Sequence, residues 1–410
     1  MKVHETLPLV PIARGDGAWL YDFDGKRYLD AISSWWVNLF GHANPRINGA
    51  LVAQLQELDH VLLAGFTHRT VVELSERLAV LAPPGLGHAF YGSDGASATE
   101  IALKMSFHYW RNEGRPAKRE FVSLAGGYHG ETLGALAVTD VAAFRDTYAP
   151  LLNRNAVVPC PDPRLGITPE AAAAALETHL TQHHATTAAL IVEPLVQGAS
   201  GMVMYDASYL RHARELCTRY DIHLVADEIM TGFGRTGTLF AWEQAGTAAP
   251  DFLCLSKGLT GGYLPLSCVL STDAVYRAFY ADDTERGFLH SHSYTGNALA
   301  CRAALAVLDI FRDDDVLAAN RGKAARWGAS VAPIAAHPRV RHFRRCGMIW
   351  AFEVDTARAD FARWFFAEAL SRELLLRPIG RTVYFMPPYI VTDEEFALLC
   401  ARTVEILDSA

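Results

Sequence analysis

The sequence lacks several features that mark particular classes of protein. No run of lysines or arginines forms a basic stripe, and the net charge is −8, so we expect neither nucleic acid nor an anionic membrane as a partner. No window approaches eighteen uninterrupted apolar residues, and the first residues contain no apolar stretch of signal-peptide length. We therefore expect no membrane span and no export. Small molecules and other protein subunits are the expected partners.

Cysteine is present in small number and without a pattern. The seven cysteines form no Cys-x-x-Cys pair and show no regular spacing, which argues against a disulfide scaffold and against a zinc site. We expect reduced, mostly buried thiols in a cytoplasmic protein without a metal centre. These cysteines are Cys160, Cys217, Cys254, Cys268, Cys301, Cys346 and Cys400.

Apolar residues make up half of the 410-residue chain, and their pattern predicts the fold class. Asp24 and Gly25 are a strong turn signal between two alternating strands, so residues 15–32 predict a β-hairpin. From about 46 to 290, helical segments alternate with short apolar strands, which is typical of a mostly parallel sheet covered by helices. Thr168 predicts the start of one of these helices as its N-cap.

The length and these patterns predict an α/β protein of more than one domain. We expect residues 1–45 to contribute to a small domain and residues 46–312 to form a large domain around the parallel sheet. Residues 313–410 mix helices with strands and predict a smaller α+β domain.

Two neighbouring strands of the predicted sheet end in charged residues. Asp227 ends the strand in "LVADEIMTGFGRTG", and Lys257 ends the strand in "FLCLSKGLTGG". Ligands of parallel sheets bind outside the carboxyl ends of the strands. Considered alone, Asp227 is equally consistent with a structural salt bridge, and Lys257 is more typical of a lysine on the protein surface. Together they indicate pyridoxal 5′-phosphate (PLP), which needs a lysine for its aldehyde and a carboxylate for its pyridine nitrogen.

The phosphate of that cofactor needs hydrogen-bond donors, and residues 91–105 supply a glycine turn before a helix. Gly95 and Ala96 lie where backbone N–H groups at a helix N-terminus face an anion. Ser97 and Glu100 match an S-x-x-E capping box, so Ser97 either caps the helix, which we favour, or contacts the phosphate directly.

The stretch after Asp227 also contains a competing dinucleotide signature. Gly232, Gly234 and Gly237 match G-x-G-x-x-G, but "DEIMT" (227–231) lies between the apolar run and the first glycine. Asp251 precedes its strand instead of ending it, contrary to the requirement of a Rossmann site. We therefore disfavour a dehydrogenase, and a cofactor-free binding protein is a third alternative.

These stretches resemble the class-III aminotransferases of the fold-type-I, PLP-dependent group. The resemblance extends from about Asp16 to the end of the chain and depends mainly on residues 227–237 and on Lys257. The most specific motifs are "SSWW" (33–36), "GYHGETLGA" (127–135), "VEPLVQGASGM" (192–202), "ADEIMTGFGRTG" (226–237), "SKGLTGG" (256–262), "GNALAC" (296–301) and "RPIGRTVYFMPPYI" (377–390).

Within the family, the paired tryptophans and the "MPPYI" sequence favour one branch. That branch aminates 7-keto-8-aminopelargonate to 7,8-diaminopelargonate in biotin synthesis. The resemblance implies S-adenosylmethionine as the amino donor, ping-pong turnover through pyridoxamine phosphate, and a homodimer with shared active sites. The alternative is an ω-amino-acid or diamine:pyruvate aminotransferase of the same class.

The resemblance also implies roles for individual residues. Lys257 would bond the cofactor and later move the proton, while Asp227 would pair the pyridine nitrogen. Tyr128 would stack on the ring, although a core tyrosine is the commoner role for such a residue. Gly95 and Ala96 would bind the phosphate through their amides, where the family usually has a serine in place of Ala96.

Further residues are implied to contact the substrate or the neighbouring subunit's cofactor. Trp35 and Trp36 would line an aliphatic pocket, and Arg377 would bind the substrate carboxylate beside Tyr384. Arg235 would lie near the site with Glu193 as its partner. In "HSHSYTGN", His292 and Ser293 would reach the phosphate of the neighbouring subunit, and Ser291 offers a further donor.

Overall fold

A seven-stranded sheet forms the centre of the molecule, in a computed structural model that describes residues 2–5, 7, 9–153 and 155–410. Its strands run parallel except for Ser267–Ser271, which is antiparallel to both of its neighbours. This topology confirms the predicted α/β fold with a mostly parallel sheet. In spatial order the strands are His88–Gly92, Ser267–Ser271, Phe252–Leu255, His223–Asp227, Thr187–Val192, Glu120–Leu124 and Ala156–Val158.

The central strands are buried along their whole length because helices cover both faces of the sheet. Every residue of Thr187–Val192 and of His223–Asp227 is buried, and a strand buried on both faces reads as a continuous apolar run. Thr168 caps the helix Pro169–His183 as expected, with its side chain accepting a hydrogen bond from the Ala171 N–H. The α-helices are Pro45–Leu55, Arg69–Leu81, Gly95–Asn112, Leu133–Ala137, Ala142–Arg145, Pro169–His183, Ser208–Arg219, Asp273–Phe279, Ala298–Asp313, Val316–Arg326, Gly328–Ala335, Phe361–Ser371 and Asp393–Asp408.

Short 3₁₀ helices complete the helical structure. They are Lys2–Glu5, Asp146–Leu151, Pro163–Leu165, Ala241–Ala245, Lys257–Thr260 and Thr284–Arg286. Across the described ranges, no helix combines the length and the apolar character needed to cross a bilayer.

The beginning and the end of the chain share a second sheet. The predicted hairpin is present, with Trp19–Asp22 antiparallel to Arg27–Asp30 and Gly25 at a φ of +82° in the turn. Arg27–Asp30 also pairs in parallel with Leu374–Leu375, and Ile12–Asp16 pairs with the hairpin on the other side. The division into domains at residues 46 and 313 stays a prediction.

The remaining strands lie outside these two sheets. Ile349–Val354 pairs antiparallel with both Val340–Cys346 and Thr382–Phe385 in a three-stranded sheet, and Val196–Gln197 pairs with Val203–Met204.

One buried lysine ties together the amino ends of two central strands. Lys118 is 1 % exposed, and its Nζ donates to the carbonyl oxygens of His184, Thr187 and Asp221 at 2.9, 3.1 and 2.6 Å. Thr187 begins one strand, and Asp221 lies two residues before the next. The carboxyl ends of these two strands carry residues of the candidate site. Lys118 therefore helps to fix the positions of those site residues relative to one another.

We expect Lys118→Met to lower the free energy of unfolding by roughly 1–3 kcal/mol, since it leaves buried carbonyl oxygens without a donor. The measurement is the urea midpoint of unfolding by far-UV circular dichroism. Lys26→Met, at an exposed lysine, is the control and should change little. Equal midpoints for the two variants would contradict this role for Lys118.

Candidate active site

A cavity of about 290 Å³ lies at the carboxyl edge of the parallel sheet. Three adjacent strands deliver acidic or basic residues to it, since Glu193 follows Thr187–Val192, Asp227 ends His223–Asp227, and Lys257 follows Phe252–Leu255. This is the edge at which the sequence predicts ligand binding. The cavity brings together these residues from the predicted set: Trp36, Gly95, Ala96, Tyr128, Asp227 and Lys257.

Lys257 is the buried amine of this cavity. Its Nζ lies 4.6 Å from the centroid of the Trp36 ring. Its backbone φ is +45°, a conformation that residues other than glycine rarely adopt. Burial lowers the pKa of Lys257 to about 8, while the nearby Asp227 and Glu193 carboxylates oppose this shift. A substantial fraction of the amine is therefore neutral and nucleophilic at mildly alkaline pH.

Asp227 is held in a fixed orientation by two donors. The Nδ1 of His129 lies 2.7 Å from Asp227 Oδ2 and donates to it, because a carboxylate can only accept, and the Ile229 N–H donates to Oδ1 at 3.1 Å. Both Asp227 and His129 are buried. Sequence reasoning missed the role of His129, although the "GYH" triplet that contains it was a signal.

The neighbouring carboxylate of Glu228 has a different task. Its oxygens accept hydrogen bonds from the backbone N–H groups of Ala241 and Trp242 and from the Thr231 hydroxyl, at 2.7–3.0 Å. Burial raises the pKa of Glu228 to about 7. Glu228 directly follows the strand and is not among the residues that line the cavity, so only Asp227 of this pair faces it.

The helix Gly95–Asn112 presents its first backbone N–H groups to the cavity. Asp94 is the N-cap and accepts the Ser97 N–H at 2.9 Å. The expectation that Ser97 caps the helix is therefore wrong, because Asp94 occupies the N-cap position three residues earlier. Glu100 does not complete a capping box either, since it accepts from the Gly134 N–H at 2.7 Å.

The backbone N–H groups of Gly95 and Ala96 are in position to bind an anion. The first N–H groups of a helix have no partner within the helix, and both residues line the cavity. A Cβ at position 95 would lie 3.0 Å from Ile229 Cγ2, so the close approach favours glycine. A direct contact of Ser97 with the phosphate stays a prediction.

Glu193 anchors the segment that carries Tyr128. Its two oxygens accept the N–H groups of Tyr128 and Gly198, each at 3.0 Å, and its burial raises its pKa to about 7. The Tyr128 hydroxyl donates to Glu131 at 2.9 Å, and the Tyr128 side chain borders the cavity. This position is compatible with the predicted stacking on a cofactor ring.

Arg235 does not pair with Glu193, contrary to expectation. Its guanidinium is buried and donates to the carbonyl oxygens of Trp36, Asn38 and Pro387 at 3.0–3.2 Å. It forms no ion pair within the described residues, and it does not border the cavity. Three carbonyl oxygens thus replace the carboxylate partner, and the side chain supports the loop behind Trp36.

The paired tryptophans occupy different environments. Trp36 is buried at the cavity, and its indole N–H donates to the Tyr384 hydroxyl at 3.0 Å. Burial raises the pKa of Tyr384 to about 12, so its hydroxyl stays protonated. Trp35 is 59 % exposed, and the Arg377 Cζ lies 4.8 Å from its ring centroid. Arg377 lines a second, apolar cavity of about 500 Å³ next to the N-terminal segment.

The backbone of these tryptophans is left-handed. Ser33, Ser34, Trp35 and Trp36 have φ values of +52°, +45°, +73° and +73°. Each such residue costs roughly 1–2 kcal/mol relative to a right-handed turn. Four in succession without a glycine require strong local hydrogen bonds, and nothing in the sequence pattern signals this turn.

His292 and Ser293 do not line this cavity. The Ser293 carbonyl oxygen is 2.8 Å from His60 Nε2, and His292 Nε2 lies 3.0 Å from His290 Nε2. Ser291 is also outside the cavity lining. Their predicted roles at a neighbouring subunit stay predictions.

The family profile and the similar sequences all indicate an aminotransferase. The profile described as "Aminotransferase class-III" matches residues 1–407. The adenosylmethionine-8-amino-7-oxononanoate aminotransferase of Helicobacter pylori is 46 % identical, over 100 % of this chain and 94 % of the relative. The enzyme of the same name from Geobacter sulfurreducens is 40 % identical, over 97 % and 92 %.

The fold matches a solved structure of an enzyme with that name. The adenosylmethionine-8-amino-7-oxononanoate aminotransferase of Methanocaldococcus jannaschii superposes with a TM-score of 0.94 at 31 % identity, covering 100 % of this chain and 95 % of the other. The ω-transaminase of Pseudomonas jessenii in complex with PMP gives a TM-score of 0.93 at 29 % identity, covering 100 % and 94 %. The chain therefore belongs to the class-III aminotransferase family and is a PLP-dependent aminotransferase.

Proposed function

We propose that this aminotransferase converts 7-keto-8-aminopelargonate, also called 8-amino-7-oxononanoate, to 7,8-diaminopelargonate in biotin synthesis. S-adenosylmethionine is the proposed amino donor. The Helicobacter pylori and Geobacter sulfurreducens relatives carry both compounds in their name, at 46 % and 40 % identity over nearly the whole chain. This identity is the observation that carries the proposal.

The substrate side of the site agrees with a long, carboxylate-bearing ketone. The Trp36 and Tyr384 rings meet edge to face at 6.2 Å and form an aromatic wall. Trp35 continues this wall outward to Arg377. A guanidinium at the end of an apolar surface is suited to a carboxylate carried on an aliphatic chain.

An ω-amino-acid or diamine:pyruvate aminotransferase is the alternative within the family. The ω-transaminase of Pseudomonas jessenii has nearly the same fold, so the fold does not separate the two activities. The higher identity to the biotin-pathway relatives favours the first proposal.

The residues of the cavity fit PLP. A buried amine, a buried carboxylate and two helix N–H groups without helical partners face one space, as an aldehyde, a pyridine nitrogen and a phosphate require. PLP, when bound, supplies an aldehyde that condenses with amines and a cationic ring that accepts the electron pair left when a C–H bond breaks.

The residues of the chain divide the remaining work. Lys257 Nζ would be the nucleophile toward the aldehyde, and as a free amine it would take the proton from the donor carbon and deliver it to C4′ of the cofactor. Asp227 would hold the pyridine nitrogen protonated by placing an opposite charge beside it. His129 fixes the Asp227 carboxylate by hydrogen bonding. Trp36 and Tyr128 border the cavity and limit the access of water to it.

We further propose a cytoplasmic homodimer in which each subunit completes the other's site. His292 and Ser293 would contact the phosphate bound by the neighbouring subunit. This placement is supported by the fact that neither residue lines its own subunit's cavity, and by the exposed apolar side chains of Phe66, Leu289 and Tyr294. The seven unpaired cysteines agree with a reducing compartment.

Lys257→Ala should lower turnover by at least about 10²–10⁴-fold, the usual contribution of a general acid–base group. Lys257→Arg is the matched control, because it keeps the positive charge but cannot condense with the aldehyde. Both variants should also lose the yellow colour that the lysine-bound cofactor gives. A Lys257→Ala protein that still yields a borohydride-reducible cofactor adduct would contradict the assignment.

The rate at which the cofactor-free protein takes up PLP should rise with pH and level off above about 8. The neutral amine is the reactive form, and the pKa of Lys257 lies near 8 instead of at the ordinary 10.5. Stopped-flow absorbance between pH 6.5 and 10.5 measures this profile. A rate that keeps rising to pH 10 and beyond would show an ordinary, solvated lysine.

Arg377→Ala should raise the KM for the ketone by roughly 10–100-fold, the effect expected from losing a charged hydrogen bond. The KM for S-adenosylmethionine should change much less. Arg381→Ala is the matched control, since Arg381 is also exposed and forms no ion pair in the described part of the chain. Equal increases for both substrates would remove the proposed role of Arg377.

A further inference from the structure

The left-handed turn Ser33–Trp36 is held by a buried carboxylate outside the cavity. Asp30 is completely buried at the end of the strand Arg27–Asp30. Its Oδ1 accepts the Ser34 N–H at 2.8 Å, and its Oδ2 accepts the Ser34 hydroxyl at 2.7 Å. Both donors of Ser34 therefore converge on one carboxylate.

A histidine completes the surroundings of this carboxylate. His42 Nε2 lies 3.0 Å from Asp30 Oδ2, and His42 Nδ1 lies 3.1 Å from the Asn38 side-chain nitrogen. The Asn38 amide oxygen accepts the Gly41 N–H at 2.8 Å, so its nitrogen faces the histidine as a donor. Nδ1 is then the acceptor, and Nε2 carries the proton that it donates to Asp30.

The other end of the turn is fixed as well. The Ser33 hydroxyl donates to the Met386 carbonyl oxygen at 2.7 Å, and Arg235 binds the carbonyl oxygen of Trp36. A Cβ at Gly198 would approach the Trp36 ring to 3.2 Å, so the ring is closely packed from the opposite side. These contacts hold Trp36 where its ring centroid lies 4.6 Å from the Lys257 amine.

We propose that Asp30 is a positioning residue that maintains the left-handed turn Ser33–Trp36 and thereby sets recognition of the keto substrate. The turn directs Trp36 toward Lys257 and Tyr384, and it directs Trp35 toward Arg377. Without the Asp30 hydrogen bonds, Ser34 and Trp35 return to the right-handed region that their side chains prefer. The Trp36 side chain is then no longer directed toward Lys257 while the Trp35 side chain is directed toward Arg377. This inference rests on the proposed ketone substrate.

Asp30→Asn tests the proposal with little change in volume. The asparagine nitrogen would face the His42 Nε2 proton, so two donors would oppose each other. We expect the KM for the ketone to rise about ten-fold, the size of effect when a charged hydrogen bond is lost. The rate of the half-reaction with the amino donor should change less than the KM for the ketone, since Lys257 and Asp227 are untouched.

Asp22→Asn is the matched control. Asp22 is a buried carboxylate on the adjacent strand and accepts three hydrogen bonds, from the Asp24 and Lys26 N–H groups and from the Tyr28 hydroxyl. It makes none of the hydrogen bonds that hold the turn Ser33–Trp36. We expect a loss of stability similar to that of Asp30→Asn, with no change in the KM for the ketone. Equal KM changes in the two variants would overturn the proposal.

A glycine separates control of the turn from general stability. Glycine adopts the left-handed region without the cost of a Cβ, so Ser34→Gly in the Asp30→Asn background should lower the KM for the ketone again. If Asp30 only stabilised the core, the added glycine would not restore binding and would destabilise the protein further. No recovery of KM in the double variant would therefore contradict the proposal.

Near-UV circular dichroism of the tryptophans gives a readout that is independent of turnover. We expect a changed tryptophan band in Asp30→Asn, an unchanged band in Asp22→Asn, and recovery in the double variant. An unchanged band in Asp30→Asn would overturn the proposal. If the wild-type enzyme does not convert the ketone at all, the proposed substrate fails, while the dichroism still decides whether Asp30 holds the turn.

Discussion

The burial of an amine and a carboxylate in one cavity is the constraint on which the site depends. Removing a charged group from water is costly unless partners compensate for the lost hydration. Asp227 receives hydrogen bonds from His129 and from the Ile229 backbone. Lys257 responds by a lowered pKa, to about 8. The same desolvation that costs stability makes the amine a nucleophile, so the energetic penalty and the reactivity have one origin.

The parallel sheet makes this arrangement possible. Strands that run in the same direction end at the same edge, so Glu193, Asp227 and Lys257 meet although the first and the last are 64 positions apart in the sequence. A cofactor can then contact three strand ends and one helix N-terminus together. The residues proposed to determine substrate specificity lie on loops around the cavity. Specificity set by loops is consistent with the closely similar folds of transaminases that have different names.

The sequence predicts the features that follow from local pattern. Buried strands, the hairpin at Asp24 and the charged strand ends are each visible within a few residues. The His129–Asp227 contact is not, because it joins residues 98 positions apart and needs the folded sheet. The prediction that Ser97 caps the helix is wrong because Ser97 and Asp94 are both good N-cap acceptors. Only the position at which the helix begins, Gly95, shows that Asp94 is the cap. The carbonyl partners of Arg235 follow from tertiary packing.

The most direct test of the central claim is the protonation state of the cofactor's pyridine nitrogen. PLP labelled with ¹⁵N in the ring, bound to the wild-type protein and to Asp227→Asn, reports this state through the nitrogen chemical shift. The account predicts a protonated nitrogen in the wild type at neutral pH and a largely neutral one in Asp227→Asn. A neutral nitrogen in the wild type, or the same shift in both proteins, would contradict it.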